Sequence, residues 1–276
     1  MQSQINQFNY YGRKYVFWNI FNSCKNREVS VLPLLRGCQI RSEDEFYNIL
    51  ELTNWHIKKL NLYMNISKTK NIPNFTFNLK ERSKETIKWF TETFNKNSYE
   101  TDLFFDFDSG DLKEVLKDVE TLKEYLESFE VPYHILFSGN KGVHVVIDGV
   151  YIENEKIEDG NVYPHKWVVE NIKETLGLET LDLANNGLIQ RLRKVPYSLV
   201  MPKGMPPETA PESLLRVVLP LSDEQLKVFK VEDSYLINVL KRVQIMNRGI
   251  LERFEDLDQS TKKENVKKFI KQFNFN

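Results

Sequence analysis

The sequence predicts an α+β fold: a mixed β-sheet with helices on one face, followed by a helical tail. Three observations carry that prediction. Residues 102–147 read strand, helix, hairpin, an order that lays a helix against a sheet. The flanking segments switch between the two-residue period of strands and the 3.6-residue period of helices. The 276 residues are 41% hydrophobic and 12% aromatic, enough to bury a core.

Each element has a local cause. Ser42 and Glu45 have capping-box spacing and open a helix over 42–52 that sets Phe46, Ile49 and Leu50 on one face. Leu60, Leu62, Met64 and Ile66 alternate as in a strand. Residues 83–95 read as a helix with Ile87, Phe90 and Phe94 on one side. The run DLFFDFD at 102–108 is a short strand. Residues 111–129 follow with Val115, Leu116, Val119, Leu122, Leu126 and Phe129 at helical spacing, and Pro132 ends the run. Residues 134–138 and 143–147 are strands joined by a tight turn at 139–142. The chain after Ser222 is mostly helical. Its last helix starts at a Thr261/Glu264 capping box and carries Val266, Phe269, Ile270 and Phe273.

Charge and cysteine usage narrow the function. Lys and Arg number 38 against 39 Asp and Glu, for a net charge of -1. That excludes a generic polycationic DNA coat, which needs a surplus of cations for phosphate. A nucleic-acid enzyme with a local basic surface remains open. Cys24 and Cys38 accompany no CxxC and no Cys/His cluster, so no structural zinc and no disulfide framework is expected. No apolar run approaches the ~20 residues that span a bilayer. We therefore expect a soluble intracellular protein, of cytoplasm, nucleoid or nucleus, without a membrane partner.

Three features could carry chemistry. Asp106 and Asp108 are two apart on a strand and so share a face. Two adjacent carboxylates repel, and a hard divalent cation relieves that repulsion; a strand end where both acids meet water is the plain alternative. The second feature is Ser138-Gly139-Asn140-Lys141-Gly142-Val143-His144. Its glycines expose backbone N–H groups as an anion nest, Ser138 adds a hydroxyl, Lys141 a charge, and His144 can point back to the same anion. The third is residues 183–207, which hold no acid but carry Arg191, Arg193, Lys194 and Lys203, a candidate phosphate surface. Asp182 precedes it directly. Hairpin turns and solvated loops explain the last two features if they act alone.

Taken in order, DFD at 106–108, SGNKGVH at 138–144 and LDLANNGLIQRLRKVPYSL at 181–199 resemble the three motifs of the catalytic small subunit of archaeal and eukaryotic DNA primase. Asp106 and Asp108 match the first motif. Ser138, Gly139, Lys141, Gly142 and His144 match the second, and Asp182, Pro196, Ser198 and Leu199 the third. Arg27-Glu28 resembles the family's N-terminal Arg-Glu pair. The chain departs from the pattern in two places and lacks one feature. Val200 stands where the family has a His, with Lys203 the nearest candidate substitute. Asn140 replaces the first of two basic residues. The zinc knuckle of many members has no counterpart.

The resemblance implies the archaeo-eukaryotic primase fold: an RRM-like module with an N-terminal α/β module, interlocked over 1–221, and a helical extension over 222–276. It implies template-directed primer synthesis on single-stranded DNA. Asp106, Asp108 and Asp182 would hold two Mg²⁺ or Mn²⁺ ions. Ser138, Gly139, Lys141, Gly142, His144, Arg191 and Lys194 would bind the NTP or dNTP, and Arg193 and Lys203 the DNA. A primase large subunit, helicase or other replication protein would supply the template affinity that a neutral chain lacks. The same fold serves as a repair polymerase in bacterial end-joining ligases. A non-catalytic nucleic-acid-binding subunit and a two-metal nuclease are the remaining alternatives.

Overall fold

The computed structural model describes residues 10–273, except 33–34, 53–60, 71–76, 79–82, 154–155, 159, 185, 202–211, 242–249 and 251. Lys203, His56 and Leu60 lie outside the described residues, as does the side chain of Leu50.

The N-terminal part begins with helix α1 (Lys14–Cys24) and strands β1 (Arg27–Leu32) and β2 (Leu35–Cys38). Helix α2 (Glu43–Leu52), strands β3 (Asn61–Thr69) and β4 (Phe77–Asn78), helix α3 (Lys84–Asn97) and β5 (Ser98–Thr101) follow. The Oγ of Ser42 accepts from the Glu45 N–H at 3.2 Å, while the Glu45 carboxylate reaches back to the N–H of Arg41. In α3, Phe90 and Phe94 are buried, but Ile87 is 42% exposed. It does not join the inward face expected of it.

The second part is built on β6 (Leu103–Phe107), α4 (Leu112–Glu127), β7 (His134–Phe137) and β8 (Val143–Ile147). Next come β9 (Lys156–Glu158), β10 (Asn161–Tyr163), α5 (His165–Leu176), β11 (Leu192–Lys194), β12 (Leu199–Val200), β13 (Arg216–Val217) and β14 (Leu219–Leu221). The chain then runs through α6 (Asp223–Val228), α7 (Leu236–Lys241) and α8 (Gln259–Ile270).

Two sheets result. One is ordered β11-β3-β1-β2-β4, with β5 also on β3; the other is β14-β7-β8-β6. Strand pairs are antiparallel throughout the described residues. β8 inserts between β6 and β7, so the α4 crossover joins parallel strands that are not neighbours. After α5, Leu181 bridges the free edge of β6 at Phe107. The order strand-helix-strand-strand-helix-strand is that of an RRM, with its last strand reduced to this bridge and β14 added at the far edge.

Alternation assigns the faces. Leu103, Phe105 and Phe107 share the main core with Val115, Val119 and Leu122 of α4 and Val168 and Ile172 of α5. A one-residue slip of β6 would expose all three at ~1.5–3 kcal/mol each, which fixes the register. The opposite face carries Phe104, Leu136 and Val146, which pack with Ile66 of the first sheet.

The last helix is capped by Asp258, whose carboxylate accepts from the N–H groups of Ser260 and Thr261. The Thr261/Glu264 box is thus displaced by a stronger, charged cap one turn earlier. Phe269 is fully buried against Tyr125 and Phe129, so the apolar face of α8 is covered by its own chain. Cys24 and Cys38 are buried and form no disulfide. Among the described residues no helix is long and apolar enough to cross a membrane.

Candidate active site

The two sheets part at one end, and several of the sequence-predicted residues meet there, while Asp182 borders a neighbouring cavity with Asp108. Tyr63, Phe104, Asp106, Asp108, Ser138, Asn140, Gly142, His144, Leu192, Arg193 and Lys194 line a cleft of about 160 Å³. The strand face that buries Phe104 also delivers Asp106 and then Asp108 to the cleft, as the two-residue period requires.

Asp182 arrives from the other edge of β6. Its N–H donates to the Asp106 carbonyl at 2.8 Å, and the Asp108 N–H donates to the Thr180 carbonyl at 3.0 Å. Asp118 of α4 fixes this crossing by accepting from both the N–H and the hydroxyl of Thr180 at 2.8 Å. The three acids therefore occupy adjacent backbone positions. Their side chains are engaged separately. Asp106 Oδ2 accepts from Arg191 at 2.8 Å, Asp108 lies 3.8 Å from Lys141 Nζ, and Asp182 accepts from the Ala184 N–H at 2.8 Å. Among the described residues no three His, Cys, Asp or Glu side chains converge as a metal cluster. As a donor set, three hard carboxylates on touching strands still fit Mg²⁺ or Mn²⁺.

The turn at 138–142 closes the cleft. The Ser138 N–H donates to the Gly142 carbonyl at 2.9 Å. Both glycines are required by space. Gly139 has φ +82°, and a Cβ there would meet Val200 at 2.5 Å; at Gly142 it would meet the Phe107 carbonyl oxygen at 2.6 Å. The turn thus sits directly on the backbone between Asp106 and Asp108.

His144 pairs with Asp106 across the ladder, with Nε2 3.5 Å from Oδ1. Burial pushes its pKa well below the usual value, and Lys194, Arg193 and Arg191 push it further. The imidazole is neutral, so this contact is not an ion pair. Its Nδ1 is buried without a hydrogen-bond partner. Lys194 faces the cleft from β11. Burial lowers its pKa to about 8, despite Asp106 and Asp108.

Arg191 stacks on Phe104, with Cζ 4.9 Å from the ring centroid, and commits its guanidinium to Asp106 and to the Ala184 carbonyl. Arg193, expected from the sequence to contact DNA, borders the cleft but is buried. It is 4% exposed, and it donates to Asp102 at 3.1 Å, opposite Arg27 at 2.9 Å. Strand alternation turns it between the sheets, away from the side that presents Leu192 and Lys194. Burial alone would raise the Asp102 pKa, but Arg27 and Arg193 bring it down to about 2.

Sequence reasoning missed Asp102, Asp118 and Arg216. Asp102 was visible in principle, since it shares the face of Asp106 four residues earlier. Asp118 and Arg216 gave no local signal. Arg27-Glu28 proves structural: Glu28 is 1% exposed and accepts from Ser30, Arg36, Gly37 and Asn65.

No protein-family model matches the chain, and no curated protein matches it in sequence. Among solved structures, the chain is similar to the polymerase domain of Ligase D from Mycobacterium tuberculosis, solved in complex with DNA. The TM-score is 0.52 at 13% identity, over 88% of this chain and 91% of that one. The chain has the fold of a polymerase domain. That is the fold which the three motifs imply.

Proposed function

We propose that this chain is a template-directed nucleotidyltransferase that builds short primers on single-stranded DNA from NTPs or dNTPs. One observation carries the reading: an acid pair and a phosphate-shaped turn sit side by side on neighbouring strands and line a single cleft together with a buried lysine. A scaffold has no physical need for that juxtaposition, and a nuclease has no need of a polyphosphate cradle.

Each residue then has a task. Backbone N–H groups of the turn, the Ser138 hydroxyl and Lys141 grip the β- and γ-phosphates. Lys194 faces the same phosphates, and their charge stabilises its ammonium. Neutral His144 has one ring N–H to donate at the cleft wall. Asp106, Asp108 and Asp182 would hold two divalent ions, which when bound neutralise the triphosphate and make the 3′-hydroxyl more acidic. Arg191 already neutralises Asp106, and a nucleotide phosphate gives its guanidinium an alternative partner. The protein's share of catalysis is positioning and charge compensation.

The likeness to a Ligase D polymerase domain supports a second reading, a repair polymerase of the same chemistry. In either case a net charge of -1 argues for an intracellular partner that supplies DNA affinity, such as a primase large subunit or helicase. The test compares incorporation on unprimed single strands, primed templates and 5′-phosphorylated gaps. Products on the unprimed strand support the primase reading, and activity confined to gaps supports repair. Inactivity on all three formats would sink both.

A further inference from the structure

The turn at 138–142 is braced from behind by an arginine that the chemistry above leaves unused. Arg216 pairs in register with Val200 on the β12–β13 ladder. Val200 presses on Gly139, and Arg216 Nη1 donates to the Asn140 carbonyl at 2.9 Å and to its Oδ1 at 3.3 Å. One short ladder therefore grips two successive residues of the turn. The guanidinium lies over Tyr235, 5.4 Å from the ring centroid, and Arg216 and Tyr235 form an isolated backbone bridge. Tyr235 belongs to the segment after β14, so that segment reaches the turn through a ring and a guanidinium.

The choice of arginine needs explaining, because a neutral donor would satisfy a carbonyl. Arg216 has no carboxylate partner among the described residues, and its Nε is buried without a hydrogen bond. It is also close enough to Lys194 to depress that lysine's protonation. Lys194 has no hydrogen-bond or ion-pair partner among the described residues either. Two cations without a direct ion pair beside one turn repel each other, and an arriving polyanion relieves that repulsion.

We propose that Arg216 is a positioning residue for triphosphate binding: it holds the turn through Asn140, and its charge adds to that of Lys194. The proposal rests on the reading of the turn as a phosphate cradle.

The test is calorimetric titration of the full chain with inorganic tripolyphosphate, beside incorporation kinetics. Arg216→Gln should weaken binding about tenfold, the loss of one charge-assisted contact. It should raise the nucleotide KM and leave kcat within about twofold. Arg216→Lys should recover part of the affinity by keeping the charge; because the amide of Arg216→Gln can also donate to the Asn140 carbonyl, a brace that acts without charge would give the two variants equal affinity. Tyr235→Leu, which spares the charge, should weaken binding about threefold; thermal unfolding checks that each variant folds. Equal affinity in the wild type and folded Arg216→Gln overturns the proposal alone. If Arg216→Gln does not fold, unchanged affinity in Tyr235→Leu overturns it instead. No binding by the wild type overturns the phosphate reading and the proposal with it.

Discussion

Replacing Lys194 by Met should make the protein more stable and less able to bind triphosphate. Burial lowers the lysine pKa from 10.5 to about 8. At ~1.4 kcal/mol per pH unit, holding it charged in the fold costs about 3 kcal/mol. The side chain keeps some solvent contact, so we expect a gain of ~1–3 kcal/mol for an apolar residue of similar length. The pH window follows from the direction of the shift. Below about pH 8 the lysine is charged folded and unfolded, and the whole cost falls on the fold. Between about 8 and 10.5 the folded protein loses its proton first, and the cost fades. Urea unfolding of both proteins at pH 7 and pH 10.5 measures this directly. A Lys194→Met protein less stable than wild type at pH 7 would refute the reasoning, as would a gain undiminished at pH 10.5. Either result would mean that Asp106 and Asp108 fully compensate the charge.

Two further predictions follow from packing and charge. Gly142→Ala drives a methyl group to 2.6 Å from the Phe107 carbonyl, so it should cost ~1–3 kcal/mol and abolish triphosphate binding; a variant with wild-type Tm would show that the turn can lift off β6. Asp102→Asn strands Arg27 and Arg193 in the interior and should cost ~3–5 kcal/mol at pH 7. Because Asp102 is held at about 2, its contribution is full above about pH 4 and is lost as the pH falls toward 2. The two Tm curves should converge across that window, and a constant gap would contradict the assignment.

Much of the site was legible because its residues sit on short, strongly patterned elements. DLFFDFD alternates so sharply that burial of Leu103, Phe105 and Phe107 forces Asp106 and Asp108 onto the other face. The turn was legible because only glycine tolerates the space at 139 and 142. The burial of Arg193 was not legible because a basic run looks the same whether its middle member faces water or an interior acid. Its partner Asp102 lies 91 residues away in sequence. Arg216 and Asp118 were illegible for the same reason, since each acts through a contact that only the tertiary fold creates. Ile87 shows the limit of periodicity, which marks the apolar side of a helix but not how much of it a neighbour covers.

The measurement that tests the central claim most directly is incorporation of a labelled nucleotide on a DNA template with Mg²⁺ or Mn²⁺, comparing wild type with Asp106→Asn. The variant keeps the size of the side chain and loses its charge. The account predicts incorporation by the wild type, none by a folded Asp106→Asn, and strict dependence on the divalent ion. Incorporation by the folded variant at the wild-type rate would contradict it.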